Sequence, residues 1–207
     1  SILPFAEQGS GYDQMIFVGS HPGWTHTGSG NHNGTVFHNV NISWMSCPSS
    51  PLDPLADTGG GKFINKPHYT GIAGATNGNG FTNKTREQRA CCNCCNGQAN
   101  RSFISAGGLL IPNDSKRFAS ATDGTSTTLV AGECSDFVDN GSGLKRAQIN
   151  SNHGWLMGTP NREKVPAGTG RYNRCFNITT IRYPINSITT QMDGVANNDG
   201  QNNGIYS

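Results

Sequence analysis

Residues 123–133 read Asp-Gly-Thr-Ser-Thr-Thr-Leu-Val-Ala-Gly-Glu, a turn sequence that leads directly into an apolar stretch. Asp, Gly and Ser are typical turn residues, because Gly adopts left-handed backbone conformations and the short polar side chains bond to nearby backbone groups. The residues from 127 to 131 are β-branched or apolar, which is typical of an interior strand. The stretch therefore predicts a turn at 123–126 and a strand at 127–131.

Short elements are predicted on both sides of this stretch. Val36, Val40, Ile42 and Trp44 share one parity, and such alternation indicates a half-buried strand at 35–46. Apolar runs and turn residues place the remaining predicted elements: strands at 69–75, 103–111 and 176–190, short helical turns at 2–8 and 12–18, and loops at 19–34, 52–62 and 135–175.

The composition fits a chain built from strands and turns. Hydrophobic residues make up 33% and charged residues 14%, whereas the chain contains 28 Gly and 23 Asn. Gly, Asn, Ser and Thr are poor helix formers, so long helices are excluded for most of the chain. We therefore expect one α+β domain over residues 1–207 that is β-rich, with a mainly antiparallel sheet, long loops and little helix. A Cys-rich polar insertion is expected at about residues 76–102.

The charge pattern argues against nucleic acid as a partner. Fifteen basic and thirteen acidic residues give a net charge of +2, and they are spread along the chain rather than gathered in the basic patch that nucleic acid requires. No apolar run in these residues is long enough for a transmembrane helix.

Four segments, in this order, resemble a large bacterial family of prepilin-type, pseudopilin-like proteins of uncharacterised function. They are Leu3-Pro4-Phe5-Ala6-Glu7-Gln8 with Tyr12, Cys47-Pro48-Ser49-Ser50-Pro51, Tyr69-Thr70-Gly71-Ile72-Ala73-Gly74, and the stretch from Asp123, Gly124, Thr125 and Ser126 to Gly132 and Glu133. The last is the most specific, although Thr127 stands where the family usually has Asn. The stretches 20–34 and 76–102 are unlike the family.

The resemblance implies a subunit made with a prepilin leader and a long apolar helix, exported through the inner membrane and carrying a β-rich, pseudopilin-like globular head. Leader, helix and the usual His-Pro-Gly-Gly ending are absent from these residues. We therefore expect a head domain that contacts a membrane only through an N-terminal helix absent from this chain. We also expect it to form homo-oligomers, because the missing elements would leave apolar surface and a strand edge uncovered.

Seven cysteines favour an oxidising, extracytoplasmic location, in which disulfides persist. All seven are disulfide candidates: Cys47, Cys91, Cys92, Cys94, Cys95, Cys134 and Cys175. Because the number is odd, at least one thiol is free, bonded to another chain or bound to a metal. The Cys-x-x-Cys spacings at 91/94 and 92/95 leave zinc binding and redox chemistry open as alternatives.

Three further groups of residues are candidate metal ligands. Asp193, Asn197 and Asp199 place oxygen ligands around glycine turns, as calcium loops do, and major pseudopilins, which the family resembles, often hold calcium in a C-terminal loop. Asp136, Asp139 and Asn140 are a second calcium candidate. Four histidines (His21, His26, His32 and His38) could gather on zinc or copper, but the alternative is that they are solvated loop residues. No cofactor is certain.

These observations predict a non-enzymatic structural subunit of a pilus-like or pseudopilus-like filament at the cell surface or outside the cell. The alternative is a secreted glycan-binding module, in which Trp24, Trp44 or Trp155 would stack on sugar rings. An extracellular hydrolase is a minor alternative, because the chain has four Glu and none of the common hydrolase motifs. Glu133 fits a turn network better than catalysis.

Overall fold

A computed structural model describes residues 3–18, 32–57, 61–75, 87–89, 103–134, 137–139, 144–146, 155–156, 177–181 and 185. These ranges contain two short α-helices and nine strands. The helices are α1 (Gly9–Asp13) and α2 (His32–Val36), and single 3-10 turns cover Leu3–Phe5, Ser43–Met45 and Phe118–Ser120. The strands are β1 (Leu55–Asp57), β2 (Phe63–Asn65), β3 (Tyr69–Ala75), β4 (Glu87–Arg89), β5 (Phe103–Ser105), β6 (Ala131–Glu133), β7 (Phe137–Asp139), β8 (Leu144–Arg146) and β9 (Ile178–Ile181).

The largest sheet is mixed and has the order β6-β3-β9. Strand β3 pairs antiparallel with β6 and parallel with β9. The other pairs, β1-β2, β4-β5 and β7-β8, are antiparallel. The described part of the chain is therefore mostly β, as the sequence predicts, and its strand pairs are mainly antiparallel. None of its helices has the length and apolar character needed to cross a bilayer.

Two glycines allow close backbone packing at the C-terminal end of β3. The register between β3 and β9 shifts between Ile72 and Gly74, and Gly74 has φ +144°. A Cβ on Gly74 would lie 2.7 Å from Gly108 N, and one on Gly108 would lie 2.7 Å from Ala73 O. Because the two backbones meet this closely, with Gly108 N–H donating to Ala73 O at 2.8 Å, neither position has room for a side chain.

An apolar core among the described residues lies outside this sheet. It contains Leu3, Phe37, Ile42, Met45, Ile64 and Leu156, all buried. Trp155 packs edge-on against Phe37, with ring centroids 4.8 Å apart. The first of the four quoted motifs thus reaches the core through Leu3.

Two buried asparagines join irregular segments to this core. The Asn33 side chain accepts from Ile16 N–H and donates to Ile16 O, both at 2.8 Å. The Asn65 side chain accepts from Ile42 N–H and donates to Pro54 O, both at 2.9 Å. Each amide therefore serves one backbone donor and one backbone acceptor that the regular ladders do not reach.

The prediction of a strand at 35–46 is wrong. The structure has the end of α2 and a 3-10 turn there, because Asn39 adopts a left-handed backbone conformation with φ 59°. Its N–H donates to Phe63 O at 2.9 Å. Phe37, Ile42 and Met45 are the residues buried in this stretch, and their spacing does not alternate.

Other boundaries differ in smaller ways. The strand predicted at 69–75 is confirmed as β3, while β5 and β9 fill only part of the ranges predicted for them. The strand predicted at 127–131 begins at Ala131, because the Thr127 and Thr128 hydroxyls bond back to the 123–126 turn. The 3-10 turn at Leu3–Phe5 agrees with prediction, whereas α1 covers residues 9–11, which lie between the two predicted helical turns. Strands β1, β4, β7 and β8 lie in ranges predicted as loop or insertion.

Candidate functional site

Three of the four quoted motifs meet at the start of β3. Tyr69 opens the strand and His68 precedes it, and Cys47 comes from the Cys-Pro-Ser-Ser-Pro motif. Glu133 ends the Asp-Gly-Thr-Ser motif, and Cys134 follows it directly. We call these five residues the β3 junction. It joins three parts of the chain that lie between 21 and 87 residues apart in sequence.

His68 is the centre of the β3 junction. Its N–H donates to Met45 O at 2.7 Å, and its carbonyl accepts from Cys134 N–H at 2.6 Å. Its ring Nδ1 accepts from Cys47 N–H at 3.0 Å. A nitrogen that accepts a hydrogen bond carries no proton, so the imidazole is neutral with its proton on Nε2. The side chain is 2% exposed.

The two cysteines of the β3 junction have different environments. Cys134 is buried and lies opposite His68 on the neighbouring strand, so the two side chains share one face of the sheet. Cys47 is half-buried, with its Sγ 3.2 Å from Ser49 Oγ. The other five disulfide candidates (Cys91, Cys92, Cys94, Cys95 and Cys175) lie outside the described residues, and the bridging of all seven stays a prediction.

Tyr69 and Glu133 form a cross-strand pair on the opposite face. Partial removal from water raises the pKa of the Tyr69 hydroxyl above 10.0. The Cys47 side chain raises it further, by repulsion between the two anions and by the hydrogen bond that it shares with the neutral phenol, and the Glu133 charge adds to this. Tyr69 therefore stays protonated at neutral pH.

The described residues contain no group of three His, Cys, Asp or Glu side chains placed to hold a metal ion. His32 Nε2 donates to Gln14 O at 2.8 Å, and His38 Nδ1 accepts from Phe63 N–H at 3.0 Å. These two rings are thus used in local contacts. The remaining candidate ligands lie outside the described side chains: His21, His26, Asp136, Asp139, Asn140, Asp193, Asn197 and Asp199.

The most specific motif is structural where it is described. Asp123, Gly124, Thr125 and Ser126 form a turn in which Gly124 has φ +96°. The Thr128 hydroxyl donates to Gly124 O at 2.8 Å. Gly132 and Glu133 belong to β6, so the motif connects this turn to the β3 junction.

A second candidate site is an apolar surface segment. Ile16, Phe17 and Val18 are 43%, 54% and 79% exposed. Asn33 holds the backbone of Ile16, and the Phe17 ring lies 5.2 Å from that of Tyr12. The segment is therefore anchored while its apolar side chains face solvent. We call residues 16–18 the apolar segment.

Of the three tryptophans, Trp44 is the one that the structure describes as open to solvent, at 41% exposed. Trp155 packs on the core, and Trp24 lies outside the described residues. His68 and the two buried asparagines were not predicted. Their partners lie from 11 to 66 residues away in sequence, and no local pattern signals such partners.

Comparison with known proteins places the whole chain in one family. Residues 1–207 match SBP_bac_10, whose description is Protein of unknown function (DUF1559). No curated protein and no solved structure matches the chain. The match covers all four quoted motifs, and the chain belongs to the DUF1559 family.

Proposed function

We propose that the chain is the globular head of a pseudopilin-like, non-enzymatic subunit that works by self-association in a filament outside the cytoplasm. The DUF1559 family is associated with pseudopilin-like proteins of type II secretion, which supports this class of function. Export through the inner membrane, disulfide bridging and calcium binding belong to the same proposal.

The observation that carries the proposal is the apolar segment. A run of three consecutive exposed apolar residues is unfavourable on a solitary soluble domain unless it is used for binding. Here the two hydrogen bonds between the Asn33 side chain and the backbone of Ile16 fix the start of the run. An anchored apolar surface is suited to a contact between subunits, because little further ordering is needed on binding.

Sedimentation velocity and negative-stain electron microscopy test the proposal. The protein should form oligomers or fibres at micromolar concentration, and the double variant Phe17→Ser with Val18→Ser should shift it to monomer. Phe118→Ser is a matched control, since Phe118 is 81% exposed but lies away from the segment in sequence. A wild-type protein that stays monomeric, or a double variant that assembles like the wild type, would contradict the proposal.

Glycan binding is a second candidate function, supported by Trp44. Its ring is 41% exposed, and the exposed polar residues Asn41 and Ser43 lie beside it in sequence. Aromatic rings of this kind stack on sugars. A glycan array should then give signals that Trp44→Ala abolishes and that Trp155→Phe leaves in place. An array without signals would remove this candidate.

A further inference from the structure

We propose that a second copy of the chain pairs with residues 15–17 as an antiparallel β-strand, across a two-fold axis that passes beside Ile16. The inference rests on the proposed self-association, and it names the surface and the hydrogen bonds of one contact between subunits. It is carried by the direction of the backbone at the start of the apolar segment.

The Asn33 side chain fixes the direction of the backbone at Ile16. Its amide accepts from the Ile16 N–H and donates to the Ile16 carbonyl, both at 2.8 Å, so these two backbone groups point to the same side of the chain. In a helical residue the N–H and C=O point in opposite directions along the axis, whereas in an extended residue they point sideways together. Ile16 is therefore extended, and the Asn33 amide takes the place of a residue on a neighbouring strand.

The other side of this backbone presents one acceptor and one donor. The C=O and N–H of a planar trans peptide point in opposite directions. Because the Ile16 N–H and C=O both point towards Asn33, the Met15 carbonyl and the Phe17 N–H point away from it. Among the described residues neither of these two groups has a hydrogen-bond partner. They form the unpaired edge of a strand, which we call the open edge.

The open edge is complementary to itself. In an antiparallel pair, a residue at a non-hydrogen-bonded position is flanked by two bonds, in which the preceding carbonyl of each strand accepts from the following N–H of the other. With Ile16 opposite Ile16 of the second copy, each Phe17 N–H would donate to the Met15 carbonyl of the other chain, and the two Ile16 α-carbons would lie about 4.5 Å apart. One chain therefore supplies both halves of the contact, as a two-fold interface requires.

Side chains and charge agree with this pairing. Ile16, Phe17 and Val18 are exposed, and β-branched and aromatic residues are favourable in strands. Asp13 is the charged residue nearest to the open edge in sequence. Antiparallel pairing puts the two Asp13 carboxylates at opposite ends of the contact, whereas parallel pairing would bring them together. Because a two-fold contact closes on itself, a filament would need a second contact elsewhere on the chain.

Amide hydrogen exchange at Phe17, followed by NMR against protein concentration, tests the pairing. In the paired state this N–H is bonded to the second copy, so its exchange should slow as the dimer forms. At a chain concentration ten times the dimer dissociation constant, about one fifth of the chains stay monomeric by mass action, so exchange should be about fivefold slower than at high dilution. The Ile16 N–H, already bonded to Asn33, should change little.

Two substitutions at one position separate the backbone bond from the side chain. Phe17→Pro removes the N–H, and the preference of proline for an extended preceding residue matches Ile16. Sedimentation velocity should show this variant as a monomer at concentrations where the wild type is dimeric. Phe17→Leu keeps the donor and an apolar side chain and should still dimerise. If Phe17→Pro does not fold, the exchange measurement on the wild type decides.

The outcomes separate this pairing from the proposed self-association. If the wild type assembles while exchange at Phe17 does not depend on concentration, or if folded Phe17→Pro assembles like the wild type, the pairing is refuted and the self-association stands. Protection of Phe17 in the dilute monomer would show that the same chain covers the open edge, which also refutes the pairing. A wild type that stays monomeric refutes both proposals.

Discussion

Replacing Asn65 by alanine should destabilise the fold far more than its size suggests. The side chain is fully buried, and its amide bonds to Ile42 N–H and Pro54 O, both at 2.9 Å, with a longer contact of 3.4 Å to Lys66 O. Alanine would leave one backbone donor and one backbone acceptor buried without these partners. Each such group costs about 1–3 kcal/mol, so the free energy of unfolding should fall by about 2–6 kcal/mol.

A loss of this size is large beside the about 5–15 kcal/mol that stabilises a typical domain. For a chain of about 200 residues each kcal/mol lowers the melting temperature by roughly 2–4 °C, so a loss of about 4 kcal/mol should lower it by roughly 8–16 °C. Circular dichroism, followed during urea and thermal unfolding, measures both quantities.

Asn41→Ala is the matched control, because Asn41 is exposed and its contact with Ser46 Oγ is 3.5 Å long. It should change the free energy of unfolding by less than about 0.5 kcal/mol. If Asn65→Ala came within about 1 kcal/mol of the wild type, with an unchanged urea dependence, the amide could not be the link between these segments and the reasoning would be refuted.

Three other changes have defined outcomes. Asn33→Asp removes the donor to Ile16 O and should lower the free energy of unfolding by about 1–3 kcal/mol in urea titrations. Because the pKa of Tyr69 is raised in the folded state, the unfolded chain loses the hydroxyl proton at a lower pH than the folded chain does. The free energy of unfolding should therefore decrease as pH rises above about 10. Melting curves of Tyr69→Phe should show a smaller decrease over the same pH range. Gly74→Ala should lower the melting temperature strongly, since its Cβ would lie 2.7 Å from a backbone nitrogen at φ +144°, whereas Gly9→Ala, with no atom within 4 Å of the added Cβ, should be neutral or stabilising.

Local chemistry was sufficient to predict the central strand and the turn before β6. Tyr69–Ala75 combines β-branched and aromatic residues with small ones, and Asp123-Gly124 has the composition of a turn. Local chemistry did not predict where β6 begins, because the Thr127 and Thr128 hydroxyls bond back to the turn and delay the start of the ladder. β-Branched residues are favourable in strands, but a hydroxyl near a turn can satisfy the backbone instead.

The stretch 35–46 shows why a period-2 pattern was misleading. Val36 and Val40 are four residues apart, a spacing that helices and strands both allow. The deciding contacts are distant: Asn39 and His38 both bond to the backbone of Phe63. The β3 junction was unpredictable for the same reason, since His68 acts through Met45 and Cys134.

The buried asparagines have a consequence for how long a molecule of this protein stays intact. An amide side chain offers the same kind of donor and acceptor as a peptide group. In a chain with few apolar residues, such amides can therefore hold irregular segments together by hydrogen bonds. Amides also hydrolyse slowly. Deamidation of Asn33, which glycine follows, or of Asn65 would put a carboxylate where an N–H now donates. Molecules that deamidate at either position should therefore become less stable over time.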